Sequence, residues 1–396
     1  MDLNNDSAMN LVHVDSKNTS RMFLDAARAI YKGDPNWICP LDKEIETIFD
    51  PLQNPYFLDG KASRWVLIGE QGELLGRVAA FYHHKKSYRF EVPVGGMGFF
   101  ESINDHRVAM KLFDTASEWL ASHGMQAMDG PINLGENDSY WGLLVEGFTP
   151  PAYGMNYHKP YYKDFFESYG FKPYYTQVTK HLDLTVPFPE RFWKIAEWVM
   201  KKPGFSFRHF TYQELDKYVD DLKKIHDEAW QYHEHYIPID RNLIKKEFLK
   251  AKSILVDEFI WYVYHENRPV AFLAMIPDAN QIFRHFNGKL NLWNKFRFNY
   301  LKKSKEITRT RVTIMGVIPK YQGYGLESAI FWHLREPILV KRQHIREIEL
   351  SWVGDFNPKM QATLDAVGAF PGKKHITYRK IFDENIEFHT AKTLTS

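Results

Sequence analysis

The same order of predicted elements runs through this chain twice, and no other feature limits its folding choices so tightly. Between about Asp105 and Thr176 the sequence reads as a helix (DHRVAMKLFDTASEWLASHG), a short strand (MQAMDGPI), a long loop, a second helix ending at Gly170 and an alternating strand (PYYTQVTKHLDL). From Leu326 to Lys341 a helix comes again, followed by a strand (REIELSW), a loop with a capped helix (DFNPKMQATLDAVG) and a closing strand (KKHITYRKIF). A hairpin precedes each block: SRWVLIGEQGELLGRVAAFYH and DEFIWYVYHENRPVAFLAMIP both set apolar alternation around a polar turn. Asn357 followed by Pro358 is a helix start, because the Asn side chain caps free amides and Pro suits the first turn. Two copies of one α/β unit, each with a mixed sheet, account for the pattern, and 396 residues at 44% hydrophobic content can bury two cores. The boundary is expected in DLTVPFPERFWKIAEWVMKKPGF, where prolines and a Pro-Gly pair interrupt the periodicity, giving domains 1–186 and 187–396.

Within the second copy, VIPKYQGYGLESAIFWHLRE (Val317 to Glu336) has the outline of a strand, a glycine turn and a helix start. A helix N-terminus exposes unpaired amides and a partial positive charge, so a tight turn feeding it can hold a pyrophosphate. Gly323 and Gly325 permit close backbone approach, and the preceding TRVTIMGVIP offers main-chain groups to the rest of such a ligand. Glu327 sets a negative charge in the first helical turn. Leaning outward it favours the macrodipole by roughly 0.3 to 1 kcal/mol; pointing inward it repels phosphate. Two or three charge-assisted hydrogen bonds, each about 1.5 to 3 kcal/mol, outweigh one outward carboxylate, so an outward Glu327 and a working cradle are expected. A plain strand-to-helix turn is the simpler account of the same residues.

From about Phe205 to Phe382 these residues resemble the GCN5-related N-acetyltransferase superfamily. Its signature of Gln or Arg, two residues, Gly, one residue, then Gly or Ala reads here Gln322, Gly323, Tyr324, Gly325, Leu326, Glu327, with the last position departing. NPKMQATLDAVGA is similar to that superfamily's last Asn-initiated helix. The first half resembles a degenerate copy without a cradle, since GGMGFFESINDHRVAM passes from strand to helix with no glycine turn. The whole chain resembles a bacterial tandem group of acyltransferase-like proteins, with relatives proposed to make ceramide, through its DPNW, GPIN, GLLVEGF and PYY landmarks at Asp34 to Trp37, Gly130 to Asn133, Gly142 to Phe148 and Pro160 to Tyr162.

The resemblance implies acetyl-CoA or a longer acyl-CoA as donor, held by Met315, Gly316, Val317, Gln322, Gly323, Tyr324, Gly325, Leu326, Glu327, Ser328 and Asn357, with an amide near Gly316 or Val317 facing the oxyanion. Many relatives carry a Tyr acid seven residues after the Asn; here that position is Leu364, and Tyr378 or a tyrosine of the first half is the candidate substitute. The loop from Gly130 to Tyr162 is too long and too rich in Asn, Tyr and Gly for a mere connector. Asn133, Asn137, Asp138, Tyr140 and Trp141 are its candidate acceptor contacts, and Glu136, Glu146 and His158 its candidate bases; turn-making and stapling account for the same residues. His233 and His235, in HDEAWQYHEHYIP, are further acceptor-side candidates; no third ligand at zinc-like spacing accompanies them, so no metal is expected.

Between Asn280 and Arg311 lie nine Lys or Arg against one acid, Glu306, interleaved with Phe283, Phe286, Leu292, Trp293, Phe296, Phe298, Tyr300 and Leu301. Such a segment suits an anionic membrane surface, an acyl-chain cover, nucleic acid, or a helix whose aromatic side packs on the core. The net charge of +2 gives no general nucleic-acid signal, and nucleic acid is not expected as a partner. The single Cys39 and the polar opening residues suit a cytoplasmic protein, at most peripheral at the inner membrane. The leading expectation is an acyl-CoA-dependent N-acyltransferase acting on a small-molecule or lipid amine. A tRNA-dependent aminoacyl transferase of the peptidoglycan-bridge kind and a catalytically silent binding module stand beside it.

Overall fold

The computed structural model describes residues 9–132, 134, 141–231 and 238–391. Its strands run in chain order as β1 (Asn10–His13), β2 (Gly60–Ile68), β3 (Leu74–His83), β4 (Val94–Ser102), β5 (Ala127–Gly130), β6 (Leu143–Glu146), β7 (Lys172–Asp183), β8 (Phe205–His209), β9 (Ile260–His265), β10 (Arg268–Pro277), β11 (Arg309–Val317), β12 (Glu347–Gly354) and β13 (Phe370–Ile381). Two compact units are drawn from interleaved segments of the described residues: the first from within 9–177, 283–298 and 373–391, the second from within 178–282 and 299–372.

In the first unit the sheet order is β1-β2-β3-β4-β5-β13, with β6 also on β13. Neighbours are antiparallel except β4 and β5, which run parallel over Val94–Gly96 and Ala127–Asp129. In the second unit the order β12-β11-β10-β9-β8 repeats this plan, with β11 and β12 parallel over Arg309–Arg311 and Glu347–Glu349. Both expected hairpins form, β2 with β3 and β9 with β10. The second turns on Glu266 and Asn267, whose φ of 50° and 65° supply the two left-handed residues that a tight hairpin with right-twisted strands needs.

Each unit carries a bulge at the corresponding place. Ala79 faces Gly98 but Arg77 faces Glu101, so Phe99 and Phe100 oppose Val78 alone, with Phe99 at φ 52°. In the second unit Ala274 faces Ile314 but Met275 faces Val312, leaving Thr313 as the extra residue. The closing strands are shared out: β13 from Lys373 onward belongs to the first unit, and β7 from Val178 onward to the second.

The helix after each bulged strand covers its sheet. His106–Ser122 buries Val108, Ala109, Leu112, Phe113, Ala116 and Leu120, one face at helical spacing, and Leu326–Arg335 buries Leu326, Ala329, Ile330, Phe331 and Leu334. The segment read as a break between copies holds a helix, Glu190–Met200, with Pro189 at its N-cap. Its Phe192, Ala196 and Val199 are buried along the Leu326–Arg335 helix, so the prolines mark a helix start there.

Candidate functional site

The strand-turn-helix of the second unit presents a glycine turn and a helix start with no side-chain cap. Beyond their three ladder positions β11 and β12 are bridged at Ser351, whose hydroxyl donates to the Thr313 carbonyl at 3.1 Å, while β11 runs on through Ile314, Met315 and Gly316. The Trp230 ring lies on Gly316, where a Cβ would come within 2.5 Å of it. Gln322 donates its side-chain amide to the Val317 carbonyl at 3.2 Å and ties the turn to the strand end. Gly323 and Gly325 both sit at φ 78°, the left-handed region that favours glycine, and Gly325 is the N-cap of the Leu326–Arg335 helix. No side chain caps that helix, so the first-turn amides of Leu326, Glu327 and Ser328 lack the usual partner. Gly325 has a second reason to be glycine: a Cβ there would meet Ile195 Cγ2 at 2.4 Å, whereas a Cβ on Gly323 would meet nothing within 4 Å. Lys202, its ammonium 4.6 Å from the Tyr324 ring centre, brings a cation beside the turn that the sequence reading did not identify.

Glu327 departs from expectation. Its side chain is half-buried, and burial raises its pKa above the ordinary carboxylate value, unlike the fully solvated carboxylate expected. It sits in the first helical turn, beside the amides a phosphate would use. Desolvation prevails over the helix dipole, which by itself would lower that pKa.

Of the other residues expected at the donor site, Met315 is half-buried, Val317 and Ser328 are buried, and Tyr324 is 40% exposed. Asn357 caps its own helix, accepting from the Met360 amide at 3.2 Å. Leu364 is packed in the second unit's core.

The acceptor-side candidates Asn133, Glu136, Asn137, Asp138, Tyr140, His233 and His235 lie outside the described residues. Trp141 is fully buried in the first unit, its ring 6.0 Å from His375. Glu146 is on the surface, ion-paired with Lys374 at 3.0 Å. Tyr378 is buried against Phe166, and its hydroxyl donates to Glu167 at 3.0 Å, which with burial raises its pKa. His158 Nδ1 accepts from the Leu144 amide at 3.0 Å, and burial lowers its pKa to about 3, so the imidazole is neutral with its proton on Nε2. Among the described residues no group of three or more His, Cys, Asp or Glu is placed to hold a metal, and no helix is long and apolar enough to cross a membrane.

His158 lines a cavity of about 50 Å³ in the first unit, together with Trp37, Phe99, Pro131, Asn156, Tyr157 and a buried ion pair absent from the sequence reading. Arg77 approaches Glu101 at 3.6 Å and donates to the Phe23 carbonyl at 3.0 Å. The Tyr162 hydroxyl donates to Glu101 at 2.9 Å. Desolvation nevertheless dominates and pushes the Glu101 carboxyl up to about 7. The landmark motifs converge on this cavity. Trp37 stacks on Tyr31 at 4.9 Å, Tyr31 donates to the Tyr157 carbonyl, Lys159 and Tyr157 hold Asp34, and Asn36 reaches the Phe148 carbonyl at 2.9 Å. The signal available beforehand was one charge inside each of two apolar strands, LLGRVAAFYH and VGGMGFFES.

The first unit closes what the second leaves open. Ile132 donates its amide to the Met97 carbonyl at 2.9 Å and lies on Gly98, so the chain itself follows β4 where β4 and β5 end their ladder. The helix start there is capped by Asp105, which accepts from the Arg107 amide at 2.9 Å. A carboxylate in that position answers the free amides and disfavours an anionic ligand.

No family model matches the chain. It is 28% identical over 373 residues to Protein YghO of Escherichia coli (strain K12), covering 92% of this chain and 93% of that one. It is 26% identical over 354 residues to a bacterial ceramide synthase of Caulobacter vibrioides (strain NA1000 / CB15N), covering 88% and 91%. Among solved structures, a tandem GNAT protein from the clavulanic acid biosynthesis pathway superposes with a TM-score of 0.57 at 11% identity, covering 95% of this chain and 99% of that one. The repeated hairpin, bulged strand, helix and parallel strand therefore make this chain a tandem GCN5-related N-acetyltransferase fold.

Proposed function

We propose that the protein is an acyl-CoA-dependent N-acyltransferase that moves an acyl group from a CoA thioester to an amine, with a long-chain lipid amine as acceptor. The observation that carries the reading is the uncapped helix start behind a left-handed Gly325, fed by a bulged strand. The amides of Leu326 to Ser328 would take the diphosphate, with Gly323 and Gly325 allowing the approach and Lys202 beside them. Main-chain groups of Met315 to Val317 would align the pantetheine arm and face the oxyanion. The deprotonated amine attacks the thioester carbonyl; the C–N bond forms, the C–S bond breaks, and CoA leaves as a thiolate that takes up the amine's proton through solvent or a base. With Leu364 where many relatives have tyrosine, thiolate departure does not rely on an acid from that helix. The lipid acceptor is supported by the long, near full-length similarity to the Caulobacter protein named a ceramide synthase. It also fits a protein that works peripherally at the inner membrane surface.

A second reading, a binding module without turnover, is favoured by Glu327 in the first turn of the helix and by Leu364. The deciding experiment incubates the purified protein with palmitoyl-CoA and a long-chain amine, without tRNA, and measures amide and free CoA by mass spectrometry. Equimolar amide and CoA are expected. Stabilisation by acyl-CoA with no amide from a broad amine screen would replace the proposal with the silent module, and no stabilisation would remove the donor site.

A further inference from the structure

We infer that the helix Leu292–Lys303 is a docking surface for an anionic lipid bilayer. Leu292, Trp293, Phe296 and Tyr300 are 71 to 74% exposed, although large aromatic side chains are normally covered. At about 100° per residue these four fall within an arc of about 100° on one side of the helix. Phe298, on the opposite side, is buried and stacks on Phe283 at 5.5 Å. The core thus takes one aromatic face, and a second is left to solvent.

The base of the segment is fixed within the first unit, where Arg28 donates to the Asn287 carbonyl at 3.0 Å and the Asp42 amide donates to the Gly288 carbonyl at 2.9 Å. The outward stripe is therefore presented by an anchored element.

Charge selects the occupant. Lys295 and Arg297 flank the stripe on either side, Lys303 lies at its end, and Arg284, Lys289 and Lys305 adjoin it; all six are exposed, and none pairs with a carboxylate of the described residues. Phenyl, indole and phenol rings between cations fit the boundary of acyl chains and anionic headgroups, where the rings enter the apolar layer and each nearby Lys or Arg adds Coulomb attraction. A protein partner would be expected to present carboxylates, and a nucleic acid would use the cations while leaving Leu292 exposed. This rests on the lipid-amine reading for its purpose, because the helix would hold the enzyme where such an acceptor resides.

The test is co-sedimentation of the full chain, without acyl-CoA or amine, with vesicles of phosphatidylcholine alone or with 30% phosphatidylglycerol. Binding to the anionic vesicles is expected at least tenfold above the neutral ones. The surface variant Trp293→Ser/Phe296→Ser/Tyr300→Ser should lose at least tenfold of it with an unchanged melting temperature, and Lys295→Glu/Arg297→Glu should lose it most at low salt. Equal binding by the aromatic variant, no binding by the wild type, or self-association abolished by the same substitutions without vesicle binding would each overturn the inference. Transfer to a water-soluble amine in vesicle-free buffer is measured in parallel, so that failure of the docking surface and failure of the acyltransferase reading are read separately.

Discussion

Replacing Glu327 with alanine should tighten CoA binding. Its half-buried carboxylate stands in the first turn of a helix with no side-chain cap, beside the three first-turn amides proposed to take the diphosphate. A phosphate bound there meets a like charge. One charge-assisted hydrogen bond is at stake, about 1.5 to 3 kcal/mol, or roughly ten- to hundredfold in Kd. Alanine also removes a like charge without weakening the helix, since it is the best helix former. Calorimetric titration of wild type, Glu327→Ala and Glu327→Gln with CoA between pH 5 and 8 reads both effects. Because burial raises this carboxyl's pKa, the wild type should bind more tightly as pH falls toward that value and the neutral form grows. The two variants should show the titration of CoA itself and nothing further. The same raised pKa means that the folded state holds the proton more firmly than the unfolded one, so the wild type loses stability as pH rises through the window above the ordinary carboxylate pKa. Equal or weaker binding by Glu327→Ala, with the same pH slope as wild type, would refute the claim that this carboxylate competes for the cradle.

Gly325→Ala should destabilise by about 2 to 5 kcal/mol, the sum of the left-handed backbone cost and an overpacked contact with Ile195, while Gly323→Ala should cost about 1 to 2 kcal/mol because its surroundings are open; urea unfolding of both checks the difference, and equal losses would refute the packing argument. Glu101, with its carboxyl near 7 when folded and near 4.5 when unfolded, should remove about 3 kcal/mol of stability as pH rises from 4.5 to 7. Glu101→Gln should flatten that part of the pH profile in denaturant melts, and an unchanged slope would count against burial as the cause. Lys202→Ala should weaken CoA binding a fewfold, about 0.5 to 1 kcal/mol for a half-buried surface cation, with a smaller effect at high salt; an unchanged Kd would place Lys202 outside the phosphate's reach.

The elements were legible because each obeys a local rule: apolar runs on either side of a polar turn in β9 and β10, period 3.6 in His106–Ser122, an Asn cap before Pro358. The glycine turn was legible for the same reason, since a left-handed N-cap calls for glycine. The bulges at Phe99 and Thr313 were not, because a bulge is a mismatch between two strands and neither strand states it alone. Nor was the sharing of β7 and β13 between units, which depends on partners far away in sequence. Arg77 and Glu101, 24 positions apart, become a pair through the register of β3 on β4.

The two copies differ at the places that decide whether a sheet edge can take a ligand. Both keep a three-position parallel ladder and a bulge in the strand before it, features of the backbone plan. In the first copy Pro131 and Ile132 follow β4, and Asp105 caps the helix, so that two sources of free main-chain donors are used up internally. In the second copy glycine stands at the N-cap, no side chain caps the helix, and the acidic residue of the first turn is Glu327, which protonation neutralises. The proposed donor site is assigned to the second copy on that difference. In the first copy, polar groups instead gather below the bulge, where Arg77, Glu101 and His158 face one small cavity and the landmark motifs hold its wall. A copy that had merely decayed would not be expected to retain a buried ion pair against its desolvation cost, because a well-packed apolar pair would be as stable or more so.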